Sequence, residues 1–227
     1  MNGCPTFSTK SVESGRQVTV DLRVASLTAP LRGGVVSAFE FFFSLYGLVL
    51  GLSVVEIVSG FARLAHDRRG VKVGILVPML ALLMLLDLAN FWVSAYARLQ
   101  ASELSYAVLV VALGISALYY VAASVVFPRD FAAEPDFDAV YLRHRRLVMG
   151  VLIATGLLAF EALPLLIGGG ASARLFVWSD PLSEWQTIAF IACALAVMVV
   201  KNKLANLALL ALLMAPYVYN FAAGISR

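Results

Sequence analysis

Six long runs of almost uninterrupted apolar residues leave this chain few folds to choose from. They fall near 37–62, 73–97, 104–127, 147–168, 185–200 and 204–223. A hydrocarbon layer about 30 Å thick takes about 20 helical residues to cross. Each run reaches or approaches that length, the one at 185–200 being the shortest. Lipid offers no water to backbone N–H and C=O groups, so only helices and closed barrels are stable in it. Barrel strands alternate apolar and polar residues, and these runs do not. The expected fold is all-α: a polytopic transmembrane helical bundle of about six spans, built by residues 36–227 as a single domain. Composition agrees, with 61% hydrophobic and 14% charged residues against about half and a quarter in a soluble domain. The first run exceeds the 7–15 apolar residues of a signal peptide and carries Glu40 and Glu56, so it reads as a retained helix.

Residues 1–35 have a different character, rich in Ser, Thr, Gly and charge without sustained periodicity. They read as a flexible polar tail. The abrupt change at Val35 and Val36 suggests that translation of the native product starts there.

Basic residues are distributed unevenly. Arg63, Arg68, Arg69 and Lys72 follow the first run; Arg129, Arg143, Arg145 and Arg146 lie between the third and fourth; Lys201 and Lys203 separate the fifth and sixth. The other connections hold little beyond Arg98 and Arg174. Loops near 63–72, 128–146 and 201–203 are therefore expected in the cytoplasm of a bacterial-type inner membrane, with both termini outside. The net charge of +3 is a topology signal and not a nucleic-acid footprint. The stretch 128–146 reads as a solvated loop ending in topology-setting arginines, or as a short helix on the inner surface. Trp92, Trp178 and Trp185 read as interface anchors. Spans one to three and four to six would run in opposite senses, which leaves room for a 3+3 inverted repeat.

Ionisable residues inside the runs carry the functional argument, because each costs about 2.5–3.5 kcal/mol to insert. Asp87 is deep in the second run, and Asn90 and Ser94 extend its polar stripe at i+3 and i+7. Glu161 precedes Pro164 by three residues, and that proline frees the carbonyl of Phe160. The sixth run repeats the theme with Pro216, Tyr217 and Asn220. Glu56 lies late in the first run, where Arg63 at i+7 can reach back to form a structural ion pair. A buried carboxylate without a base takes up a proton or holds a cation. Asp87, Glu161, Glu56, Asn90, Tyr217 and Asn220 are thus the candidate ion or proton sites. The bland reading of the same residues is a hydrogen-bond network that holds the bundle together.

Gly47 and Gly51 form a small-xxx-small pattern that permits close helix contact, within the chain or with a second copy. Cys4 and Cys193 form neither a disulfide framework nor a metal pair. No phosphate loop, HExxH, Gly-x-Ser-x-Gly elbow or TVGYG filter occurs, so neither an enzyme nor a cofactor is expected. The stretch FEFFFSLYGLVLGLSVVEIVSGFARLAH, with LYYVAASVVFPRD and YLRHRRLVMG, resembles a group of small bacterial multi-pass inner-membrane proteins over about 37–150. That resemblance implies the topology and no activity. Two readings remain: a small cation or proton transporter or channel, or a non-catalytic membrane scaffold or subunit. The first expects Asp87 and its neighbours around a hydrated cavity, and the second a dry bundle.

Overall fold

The computed structural model describes residues 38–66, 74–100, 105–131, 136–159 and 181–225, all within one compact unit, 36–227. The tail 1–35, Glu161, Pro164 and Trp178 lie outside the described residues. Six helices follow in order: α1 Ala38–His66, α2 Leu76–Gln100, α3 Tyr106–Val126, α4 Phe137–Leu157, α5 Pro181–Val199 and α6 Lys203–Ile225. Among the described residues there is no strand.

Four stretches are long and apolar enough to cross a membrane: Phe39–His66, Leu76–Tyr96, Tyr106–Val126 and Lys203–Ala222. Length and composition support four crossings among the described residues, where the sequence suggested about six. The difference lies in α4, which opens with charged turns, and in α5, whose apolar part is only Trp185–Val199.

α1 is apolar on every side, yet the fold uses its sides differently. Phe42, Tyr46, Leu50, Ser53, Ile57 and Leu64 are buried. Phe41, Leu45, Leu48, Leu52, Val55 and Val58 form an exposed stripe. From Phe41 to Val58 that stripe runs about 25 Å along the axis. An apolar surface of this length has no place in water and suits lipid. α2 is the hub and packs against α1, α3, α4 and α6. α1 lies along α3, and α5 pairs with both α4 and α6. Among the described residues the close pairing of α1 with α3 has no equal between α4 and α6.

Two of the three glycines of α1 pack closely on side chains of this chain. A Cβ on Gly47 would run into the indole of Trp92, and one on Gly60 into the ring of Phe127. Trp92 packs on Gly47 with its ring edge-on to Phe43 at 5.5 Å. A Cβ on Gly51 would touch nothing within 4 Å. Gly60→Ala is therefore expected to cost about 1–3 kcal/mol through overpacking. Gly51→Ala should stabilise by about 0.5–1 kcal/mol, the ordinary gain of alanine over glycine in a helix. Midpoints of unfolding in mixed detergent micelles, measured for both variants, check the pair.

The segment 128–146 is neither a solvated loop nor a surface helix in its second half. α4 starts at Phe137, well before the apolar run, because Asp136 caps it: its Oδ1 accepts from the N–H groups of Asp138 at 3.0 Å and Ala139 at 3.4 Å. Phe137, Val140 and Tyr141, the spacing noted in the sequence, are buried in the bundle. Pro181 opens α5, where its missing N–H is no loss. Asn202 begins α6 by accepting from the N–H of Leu204 at 3.0 Å.

One end of the bundle gathers the basic segments. Arg63 stands 5.9 Å from the centre of the Phe131 ring, and Phe131 meets Phe137 edge-on. Lys203 bridges to Asp138 at 2.6 Å. Arg145 departs from its neighbours, because only 3% of it is exposed. The sequence groups it with the topology-setting arginines, but it turns inward to the end of α5. There Nη1 donates to the carbonyl of Val200 and, at 3.1 Å, to Oδ1 of Asn206. Asn206 in turn donates to the carbonyls of Val200 and Asn202, both at 2.8 Å, and accepts from the Tyr141 hydroxyl at 2.9 Å. Burial pushes the Tyr141 phenol up to about 12 although the Arg145 guanidinium acts the other way, so the hydroxyl remains a neutral donor. The physical reason for the inward turn is the end of α5, whose last carbonyls lack helical donors and carry partial negative charge.

Candidate functional site

Three helices bring their polar side chains to one carboxylate. Asp87 projects from the middle of α2. Its Oδ2 accepts from the Tyr119 hydroxyl of α3 at 2.7 Å, and its Oδ1 accepts from the Tyr217 hydroxyl of α6 at 2.7 Å. Tyr119 is buried and leans against Phe91, ring centres 5.2 Å apart. The two hydroxyls come from residues far apart in sequence and hold the carboxylate at both oxygens. An ionised carboxylate accepts at about four lone-pair positions, so two remain for a ligand.

Beside the carboxylate is a cavity of about 320 Å³. Its polar lining comprises Asp87 and Asn90 from α2, Tyr119, Gln186 and Thr187 from α5, and Tyr217 and Asn220 from α6. Its apolar lining includes Phe91, Leu152, Leu157, Ile188 and Phe190. Among the described lining residues none is basic, and Asp87 is the one acid. Asp87 is half-buried because part of its side chain faces this space. Pro216 also lines it; lacking an N–H, it leaves the carbonyl of Leu212 without its usual helical donor. Gly156 of α4 completes one wall, and a Cβ placed there would touch nothing within 4 Å.

Of the residues selected from the sequence, Asp87, Asn90, Tyr217 and Asn220 meet at this cavity. Glu56 does not, because α1 contributes no residue to the lining. Glu161 lies outside the described residues. The Glu56–Arg63 ion pair is not formed. Seven residues of helix separate the two by about 10.5 Å along the axis, and the guanidinium turns to Phe131 instead, its Nε buried without a hydrogen-bond partner. Tyr119, Gln186, Thr187 and Gly156 were not singled out from the sequence. Tyr119 has an indistinguishable neighbour in Tyr120, and only burial separates them: Tyr119 is 2% exposed and Tyr120 42%.

Among the described residues no three His, Cys, Asp or Glu side chains gather as a metal site. The donor set is one carboxylate, hydroxyls and amides, which suits a proton or a singly charged cation and repels an anion. Comparison of the chain with protein-family models, with curated proteins and with solved structures finds no match.

Proposed function

We propose that this chain is a small membrane transporter or channel that takes a proton or a monovalent cation at Asp87. The observation that carries the reading is one carboxylate, held by two tyrosine hydroxyls from different helices, at the wall of a cavity with no basic residue in its described lining. Asp87 lies 11 residues past Leu76, about 16 Å along α2, which is about half of a 30 Å hydrocarbon layer. A charge at that depth is retained where it serves a pathway or is fully compensated. The scaffold alternative expects a dry bundle, and a cavity beside the deepest acid weighs against it.

In this reading the runs 147–168 and 185–200 complete six crossings of a bacterial-type inner membrane. The basic end faces the cytoplasm, where lysine and arginine are enriched. The test is flux in proteoliposomes. Vesicles holding the parent protein should dissipate an imposed Na⁺, K⁺ or proton gradient faster than protein-free vesicles, and Asp87→Asn should return the rate to the protein-free value. Equal rates for parent and variant would remove Asp87 from any pathway.

A further inference from the structure

The size and lining of the cavity say more about its ligand than the carboxylate alone. The geometry points to an organic ammonium ion with an apolar, ring-sized body as the ligand of the Asp87 cavity. The inference rests on the reading of Asp87 as a cation site and narrows it.

A bare metal ion needs a close shell of oxygen ligands and little further space. About 320 Å³ is roughly ten water volumes, at the lower end of the range for small-molecule sites. Most of the wall surface is apolar, as in small-molecule sites generally, with polar side chains spaced along it. One described carboxylate in the lining balances one positive charge. Two aromatic residues outside the carboxylate clamp, Phe91 and Phe190, line the same space, and a desolvated ammonium group gains from aromatic faces. Asn90, Gln186 and Asn220 supply carbonyl oxygens and N–H donors for any polar substituent. A hydrated inorganic ion would gain nothing from Leu152, Leu157 and Ile188, which line the same space. A phenyl-sized body would bury apolar surface against them.

The test compares benzyltrimethylammonium, tetramethylammonium and K⁺ by equilibrium binding to the full chain in detergent micelles. Empty micelles provide the background, and circular dichroism and size-exclusion elution confirm folding of each variant. Four results are expected together. Benzyltrimethylammonium binds about tenfold or more tighter than tetramethylammonium, the difference being the buried ring. Asp87→Asn weakens its binding at least about tenfold. Gly156→Leu, which places a side chain in open space at the cavity wall, weakens it similarly. Gly150→Leu, at a glycine that is equally unobstructed but absent from the cavity lining, leaves it unchanged. If all three cations bind alike and each depends on Asp87, the organic ligand is overturned and the cation site stands. If benzyltrimethylammonium binds regardless of Asp87→Asn, or nothing binds and no flux is seen, both readings fall. If Gly150→Leu weakens binding as much as Gly156→Leu, the ligand is not in this cavity and the inference fails.

Discussion

Replacing Asp87 by asparagine is expected to lower cation or proton flux at least about tenfold while the bundle stays folded. The two consequences separate because asparagine keeps the shape and changes the charge. Its carbonyl oxygen still accepts from one tyrosine hydroxyl, and its amide can donate to the other, since a hydroxyl also accepts. The contacts that Asp87 makes with Tyr119 and Tyr217 thus persist in altered form. What disappears is the negative charge that would attract a cation or accept a proton. Flux in proteoliposomes reads the first effect, and the detergent-unfolding midpoint of the same protein reads the second. A large stability loss with flux per folded molecule unchanged would make Asp87 a structural strut and would return the chain to the scaffold reading.

Replacing Arg145 by methionine is expected to be the most destabilising single change outside the cavity, by about 3 kcal/mol. Methionine fills much of the same space but donates nothing. It removes two hydrogen bonds from a charged donor, to the carbonyl of Val200 and to Oδ1 of Asn206, each worth about 1.5–3 kcal/mol, although the carbonyl keeps the Asn206 amide and Oδ1 keeps the Tyr141 hydroxyl. Helices α4, α5 and α6 meet at this node, so the loss should appear as one cooperative shift in unfolding. Arg145→Lys separates the node from a simple charge effect. Lysine is as good a topology signal, but its single ammonium cannot reproduce the planar fork of a guanidinium. It is expected to recover less than half of the loss. Full recovery by lysine would mean that the charge alone is required there.

The contrast between Arg145 and its neighbours shows where sequence reasoning stops. Arg143, Arg145 and Arg146 lie within four residues, and nothing local tells them apart. Arg143 and Arg146 are exposed, and Arg145 is buried against the end of another helix. Its partners, Val200 and Asn206, lie more than fifty residues away. Asp136 is the opposite case. A short acceptor side chain just before an apolar i, i+3, i+4 pattern is a local start signal, so this helix start is legible in the sequence.

Asp87 divides in the same manner. Its depth in an apolar run, and its polar stripe with Asn90, are properties of one helix and follow from 3.6 residues per turn. Tyr217 and Asn220 likewise share a face of α6. That the two stripes face each other across one cavity, with Tyr119 closing the carboxylate from α3, depends on which sides of three helices meet. α1 makes the point most directly: it is apolar all round, so no periodicity could say which side would pack on α3 and which would remain outside.

The chain by itself determined that its long apolar runs become helices, because a backbone in a dry, apolar solvent must satisfy each N–H and C=O within its own segment. Tertiary structure alone decided which side chains found partners: the carboxylate its two hydroxyls, the buried guanidinium its carbonyls, and the cavity its walls. Those are interactions between helices, and a one-dimensional pattern contains the period of each helix but not the rotation at which it meets its neighbours.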